Sequence, residues 1–598
     1  PKYVDAEELD RFLYDIMSEL QVQRKNKLSM AGERYFQQWA DVTQKLIAYL
    51  RKDHLFEVEI DVVTVDKQKL QIKVHDPEKL KAELEVYEEE RTKNGAANHN
   101  TEYFTEDDEG EQCGLDFRAD CEQIIIYRGK FHKCVAGGKF QFYARGVPIP
   151  ELQQKQALIQ LRSGRIANPQ LQMAMMDGAN IKPEDSGDRV QELQNPSIRQ
   201  NEAQYKALCG ALEEKNIFLI QGPPGTGKTT VIRELIQQYQ RLHPRAHILV
   251  AVDNALSGLA SVQADRLIRC GKNEKISGEL QNVSIETRYG EYVEQIRKGP
   301  QESELVQKWM DFVSPQSGMN PNVSELIIRN RPVVGATCVG LAKKRIGLER
   351  LKFDLVIVDE AGKALPGEVL IPILRARKLV LIGDHKQLPP VINTALFDPD
   401  KIELEHRGLL KKELFDSSFF QRLYERAPES NRAMLETQYR MPAVIGSLVS
   451  ELFYDGKLKN GAGTENRPPL FGEGNLVMYD CTKDEQYGEE KENDGIVNRR
   501  EAEIVMMILL EINRKLSRPG SRVAVITPYR GQNRVMNLIW SQHKKELEQL
   551  NVAINTIDAF QGDEAEIVIY CSTRAKHRTQ YFLSLIHISE PTRRYAIS

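Results

Sequence analysis

Gln221-Gly-Pro-Pro-Gly-Thr-Gly-Lys-Thr-Thr230 is the stretch that decides the reading of this chain. An apolar run, Ile217 to Ile220, precedes it and predicts a buried strand. Val231, Ile232, Leu235 and Ile236 follow at helical spacing. Strand, glycine loop and helix form the context in which G-x-x-x-x-G-K-T is a phosphate site and not an ordinary Gly/Pro turn. Gly222, Gly225 and Gly227 let backbone N–H groups converge on phosphate oxygens. The helix adds its positive N-terminal end. Lys228 is placed to reach the β- and γ-phosphates of ATP, and Thr229 to hold Mg²⁺, with Thr230 beside it in the same loop.

The rest of the 598 residues frames that loop. The length predicts several domains. A composition of 41% hydrophobic and 28% charged residues is ordinary for a globular chain. No apolar run is long enough to cross a bilayer, no signal peptide opens the chain, and the eight cysteines show no disulfide framework. These features predict a cytoplasmic or nuclear location. The first residue is Pro1, so the natural start is expected to lie upstream. A net charge of −4 gives no compositional support for a nucleic-acid partner, but a local groove can be positive on an acidic protein.

Residues 1–190 read as an accessory region. Leu9, Phe12, Leu13, Ile16 and Leu20 mark one amphipathic helix; Trp39, Val42, Leu46 and Leu50 mark another. Phe56–Asp61, Leu70–Val74, Ile124–Tyr127 and Phe140–Tyr143 predict strands of a small β-rich domain. The acidic stretch 83–112 reads as a mobile loop or linker. From about residue 191 the grammar changes to short apolar strands alternating with helices, which signals a parallel sheet covered on both faces. One series is Ile217–Gln221, Ile248–Val252, Val333–Ala336, Leu355–Val358 and Leu379–Ile382. A second is Ala433–Glu436, Leu476–Tyr479, Val523–Thr527, Ile554–Ile557 and Ile567–Cys571. The expected architecture is therefore α/β: two RecA-like cores, at 191–400 with a helical insertion near 258–332 and at 401–583, with a cleft between them.

Carboxylates, a glutamine and an arginine fall at the strand ends of these cores. Leu355-Val-Ile-Val-Asp-Glu360 puts Asp359 and Glu360 at the C-terminal edge of a strand, where open α/β sheets bind ligands. Asp359 is expected to help hold Mg²⁺, and Glu360 to deprotonate the attacking water. Asp384 and Gln387, in Gly383-Asp-His-Lys-Gln-Leu-Pro-Pro390, can read γ-phosphate and water together; the plainer reading is a Pro-terminated polar loop. Arg440, in Gln438-Tyr-Arg-Met-Pro442, suits a γ-phosphate whose charge builds in the transition state. Facing cores would make it an arginine finger; the plainer reading is a surface salt bridge. Gln204, three residues after Asn201, has the paired donor and acceptor that adenine needs.

In order, Asn201–Gln204, Gly222–Thr229, Val334–Val339, Asp359–Ala361, Gly383–Pro390, Gln438–Met441, Val525–Gly531 and Thr556–Glu564 resemble the motifs of superfamily 1 helicases. The likeness is to the class B group that includes the nonsense-mediated-decay helicase, the immunoglobulin-mu-binding helicase and senataxin. It covers roughly residues 195–576. The resemblance implies that Gln204 reads adenine, Tyr439 stacks on the base, and Gln387 and Arg440 sense the γ-phosphate. It implies that Gly562 and Glu564 lie near the ribose, and that Thr337, Thr527, Pro528 and Tyr529 belong to a track for single-stranded RNA or DNA. It further implies an ATP- and Mg²⁺-dependent monomeric motor travelling 5′→3′. The other class of function is an ATP-switched binding or scaffold protein that does not unwind.

One departure stands out. The family pattern ends near Leu583, and 584–598 matches none of it, so this tail is expected to be foreign and the second core to lack its last elements. Cys113, Cys121, His132 and Cys134 offer soft metal ligands without the usual spacing, and loop and strand cysteines are the simpler account. Asp484 to Asp494 reads as a solvated acidic loop. Lys343, Lys344, Arg345, Lys457 and Lys459 are candidate phosphate contacts or merely solvent-facing charge.

Overall fold

The computed structural model describes residues 30–574, apart from 92–99, 272–275, 299–303, 314–318, 343–347, 391–413, 470–473, 561–563 and shorter internal gaps, and then residues 592–597. The first expected helix, Lys343–Arg345, Gly562 and 584–591 lie outside the described residues. Among the described residues no helix is long and apolar enough to cross a membrane.

The accessory strands close on themselves. β1 (His54–Asp66), β2 (Lys69–Val74), β3 (Asn100–Glu106), β4 (Gln112–Arg118), β5 (Gln123–Tyr127) and β6 (Lys139–Val147) form a barrel in the order β1-β2-β5-β4-β3-β6. Alternate residues point inward, as in Phe56, Val58 and Ile60 of β1, and Phe56 stacks on Phe142 at 5.2 Å. The acidic stretch 83–112 departs from the expected loop. Its start continues the helix Pro77–Arg91, and its later part supplies β3. Leu84, Tyr87 and Phe104 are buried and anchor it; its charge conceals those few apolar residues.

Strands buried on both faces build the first core. β7 (Ile217–Gln221), β8 (Ile248–Ala251), β9 (Leu267–Cys270), β10 (Val333–Ala336), β11 (Phe353–Val358), β12 (Ala376–Gly383) and β13 (Arg432–Met434) form one sheet, ordered β13-β7-β12-β11-β8-β10-β9, all of its pairs parallel. Leu219, Leu249, Val356 and Leu381 face one apolar cluster; Phe218, Ile220, Val250, Ile357 and Val380 face the other. That two-sided burial explains why these strands read as continuous apolar runs. Phe36, Trp39 and Val42 of the helix Met30–Leu50, with Leu158 and Leu161, cover the first face, so the accessory helices pack on this core. Two expectations shift here. The insertion near 258–332 contributes β9 as well as helices. The strand expected to open the second core, at Ala433–Glu436, instead pairs with β7 (Ala433 opposite Ile220), because its backbone satisfies the open edge of the first sheet.

The chain then makes the short pair β14 (Thr437–Gln438) and β15 (Lys459–Asn460). The second sheet uses β16 (Leu476–Val477) and, after a hairpin of β17 (Glu490–Glu492) and β18 (Gly495–Val497), β19 (Ser521–Thr527), β20 (Leu550–Thr556), β21 (Ala565–Tyr570) and β22 (Thr592–Ile597). Its order is β16-β22-β21-β19-β20, again parallel. Part of the acidic stretch 484–494 is thus strand, and Glu492 is drawn in by Arg499 and Arg534. Residues 592–597, within the tail that matches none of the family pattern, pair with β21 and β16.

Candidate active site

The loops that follow β7, β11, β12 and β13 in the first sheet carry the chemistry-bearing groups. The phosphate loop leaves β7 and enters the helix Lys228–Leu242. Gly225 and Gly227 sit at φ of 70° and 83°, a region side-chain-bearing residues avoid. Their missing Cβ atoms also leave room for neighbours: a Cβ on Gly225 would meet Cβ of Arg440 at 2.3 Å, and one on Gly227 would meet Nε2 of Gln204 at 2.5 Å. Gln204 donates through that nitrogen to the Thr226 carbonyl at 2.9 Å. Asn201 caps its helix and donates to the Tyr439 hydroxyl at 3.0 Å.

β11 ends directly before Asp359 and Glu360. Glu360 takes φ of 55°, a strained conformation for a side-chain-bearing residue of the kind that collects at functional sites. Its carboxylate binds Nζ of Lys228 at 3.0 Å and Nζ of Lys363 at 3.1 Å. Burial alone would raise its pKa, but these two ammonium groups outweigh burial and hold it below the usual range. Asp359 behaves oppositely: burial, then the Glu360 charge beside it, push its carboxyl up. A divalent cation would reverse that destabilisation, so the donor chemistry fits Mg²⁺.

β12 delivers Asp384 and Gln387. Asp384 is buried and accepts from Gln221 Nε2 (3.3 Å), the Lys386 amide (3.2 Å), Gln387 Nε2 (2.7 Å) and the Tyr454 hydroxyl (2.5 Å). The bond to Asp384 fixes the Gln387 amide, since only its nitrogen can donate to a carboxylate. Its oxygen is left buried without a partner among the described residues. An orphaned acceptor of this kind is costly unless a water or ligand completes it.

Across the cleft stand groups carried by the chain after β13. The Arg440 guanidinium bonds the Glu564 carboxylate. The Tyr439 amide donates to the Gly225 carbonyl at 2.9 Å, so this segment rides on the phosphate loop. Gly225, Thr226, Lys228, Arg233, Arg440, Arg467, Lys515 and Glu564 line one cavity of about 1410 Å³. Leu388 packs against Ala524, Ile526 and Phe560 of the second core, joining the two sheets beside this cleft.

The structure thus gathers Gln204, the glycine loop with Lys228, Thr229 and Thr230, Tyr439, Arg440 and Glu564 at or beside one cleft. Glu360 joins them through Lys228. Thr337, Thr527, Pro528 and Tyr529 sit apart from it, at the C-terminal ends of β10 and β19. Thr337 is exposed, but Thr527 is buried, its hydroxyl 3.1 Å from that of Thr573. Pro528 and Tyr529 are partly exposed. Of the soft-ligand set, Cys113 is buried in the barrel core, and no group of three or more His, Cys, Asp or Glu residues suited to a metal occurs among the described residues. Lys459 is paired with Glu436 at 2.9 Å.

Lys363, Tyr454, Arg467, Arg233 and Lys515 escaped the sequence reading. Lys363, three residues after Glu360, and Arg233, five residues after Lys228 on the same helix, lie close in sequence to motif residues; Tyr454, Arg467 and Lys515 reach the site by chain crossings that no local spacing records.

An AAA-domain family model matches residues 199–311 and 297–395, and a second AAA-domain model matches residues 415–588. An uncharacterized ATP-dependent helicase of Methanocaldococcus jannaschii is 28% identical over 456 residues, 63% of this chain and 64% of that one. The ATP-dependent helicase NAM7 of Saccharomyces cerevisiae is 29% identical over 417 residues, 65% of this chain and 40% of that one. The regulator of nonsense transcripts 1 homolog of Drosophila melanogaster is 28% identical over 405 residues, 63% and 32% of the two chains. The chain spans less than two thirds of each relative's length. With the phosphate loop, the parallel sheets and these matches together, the chain belongs to the superfamily 1 helicases, in the group that includes the regulators of nonsense transcripts.

Proposed function

We propose that this chain is an ATP-driven motor that moves along single-stranded RNA or DNA and separates duplexes, hydrolysing ATP in the cleft between its two parallel sheets. The observation that carries the reading is the pairing of Lys228 with Glu360 on one wall while Arg440, on a segment bonded to the phosphate loop, faces the same cavity. Phosphoryl transfer needs positioning and charge stabilisation more than covalent chemistry, and these groups are of that type.

In this reading Lys228 exchanges its Glu360 partner for β- and γ-phosphate oxygens. Glu360, freed from one ammonium, accepts the proton of the attacking water. Gln387, its amide nitrogen held by Asp384, turns its unpartnered oxygen to that water. Arg440 leaves Glu564 and meets the charge growing on the transferred group. Thr229 and Asp359 would hold Mg²⁺, whose charge neutralises the phosphates when bound. Tyr439 offers a ring to the base, and Glu564, freed from Arg440, accepts from the ribose. Pro528, Tyr529 and Thr337 grip the strand without reading its sequence.

Travel in the 5′→3′ sense, implied by the motif pattern, is part of the proposal. It is tested with duplexes carrying a 5′ or a 3′ single-stranded overhang, in RNA and in DNA, with Lys228→Ala as control. The reading expects ATP-dependent separation of the 5′-overhang substrates and none by Lys228→Ala. Separation without ATP, or equal separation by the variant, overturns it.

A further inference from the structure

Arg467 lies on the loop after β15 and lines the same cavity as the phosphate loop. It holds three backbone carbonyls. Nη2 donates to the Tyr439 carbonyl at 2.7 Å, Nη1 donates to the Arg440 carbonyl, and Nε donates to the Gly463 carbonyl at 3.3 Å. Two successive carbonyls bound by one planar fork fix the orientation of the peptide between them. Lysine, a single point of donors, cannot reproduce that geometry.

The opposite side of the same segment is held just as closely. The Tyr439 amide donates to Gly225, and the Arg440 and Met441 amides donate to Oε1 of the buried Gln438 at 2.9 and 2.7 Å. Tyr439–Arg440 is therefore gripped between the phosphate loop and Arg467. Arg467 is in turn tied onward: Asn475 Nδ2 donates to its carbonyl at 2.9 Å, and the next residue begins β16 of the second sheet. An unbroken run of hydrogen bonds leads from Gly225 through Tyr439 and Arg467 to the second core.

We propose that Arg467 is a positioning residue for Arg440: it clamps the Tyr439–Arg440 backbone against the phosphate loop and so sets where the Arg440 guanidinium stands when nucleotide fills the cleft. The proposal rests on the ATPase reading above, and it acts through Arg440, not through contact with phosphate. A displacement of about 1 Å at a reacting geometry costs on the order of 10²-fold in rate, which is the scale expected when the clamp opens.

The test is a double-mutant cycle of Arg440→Ala and Arg467→Ala, with Arg467→Lys alongside, read as kcat and as fluorescent-nucleotide affinity. Arg467→Ala should lower kcat on the order of 10²-fold while leaving nucleotide affinity within about threefold, and Arg467→Lys should recover only part of the loss. The double variant should be no slower than Arg440→Ala, because a clamp with nothing to position has no further effect. Additive losses overturn the proposal. So does a selective loss of nucleotide affinity with kcat retained, which would make Arg467 a direct phosphate ligand. If Arg467→Ala does not fold, Arg467→Lys decides: wild-type kcat in it refutes the clamp. Hydrogen exchange in the nucleotide-free chain separates this claim from the ATPase reading. Loss of the fork should speed exchange at the Arg440 and Met441 amides. Faster exchange in a chain whose wild type hydrolyses nothing would leave the clamp standing and sink the motor; unchanged exchange sinks the clamp.

Discussion

Gly225→Ala should disable the enzyme while barely unfolding it. Gly225 sits at φ of 70°, where a side-chain-bearing residue costs roughly 1–2 kcal/mol. That strain alone affects only stability. The added methyl does more, because it would stand 2.3 Å from Cβ and 3.0 Å from the amide nitrogen of Arg440. To reach ordinary van der Waals contact, loop and Arg440 segment must part by about 1 Å. A shift of that size at a reacting centre costs on the order of 10²-fold in rate. Gly137 supplies the control: its φ is 78°, but a Cβ there meets nothing within 4 Å, and it lies in a barrel turn. Gly137→Ala should therefore lose similar stability and keep full turnover. The assay is steady-state ATP hydrolysis beside thermal unfolding of both variants. Gly225→Ala with wild-type kcat would show that Arg440 does not act at the phosphate loop, and an equal rate loss in Gly137→Ala would show that the effect is general destabilisation.

Further expectations rest on other contacts. Glu360→Gln should keep or tighten nucleotide binding while hydrolysing poorly, since it removes the proton acceptor and releases Lys228 from its ion pair; weakened binding in a nucleotide titration would mark Glu360 as structural. Tyr454→Phe should cost about 1–3 kcal/mol of stability and slow hydrolysis, because the buried Asp384 carboxylate loses a donor; unchanged urea unfolding and turnover would refute that role. Lys378 is buried, which pushes its ammonium down to about 8 from an ordinary 10.5, and it donates to the Leu212 carbonyl. Below pH 8 both folded and unfolded chains hold the proton and the burial penalty is fully present. Between pH 8 and 10.5 the folded chain has released a proton that the unfolded chain still binds, so stability should rise relative to Lys378→Met. Denaturation of both proteins at pH 7 and pH 10 checks the sign, and a difference that falls with pH contradicts it.

How far the sequence could be read depended on whether the deciding signal was local. The phosphate loop, β7, β10 and β11 were legible because each is a contiguous string with turn chemistry or an unbroken apolar run. Glu360 and Arg440 were legible because motif residues stand at strand ends, where α/β sheets place their sites. The barrel's closure was not, since pairing β1 with β6 depends on strands distant in sequence. Nor was the transfer of Arg432–Met434 to the first sheet: three residues carry too little pattern to say which open edge they join. The acidic helix at Pro77–Arg91 was hidden because charge dominates its composition, while Leu80, Leu84 and Tyr87 carry its buried face. Tyr454 and Arg467 work through bonds to Asp384 and to the Tyr439–Arg440 backbone, contacts that exist only after both cores have formed.

The most direct test of the central claim is the rate of ATP hydrolysis by the purified chain with and without polynucleotide, run in parallel with poly-RNA and poly-DNA at fixed salt, since strand affinity depends steeply on ionic strength. A motor whose cleft is completed by both cores should hydrolyse much faster when a strand holds those cores together, with Lys228→Ala inactive in every arm. Hydrolysis that polynucleotide leaves unchanged would contradict the motor and favour a nucleotide-switched binding protein, and wild-type turnover in Lys228→Ala would remove the cleft from the reaction altogether.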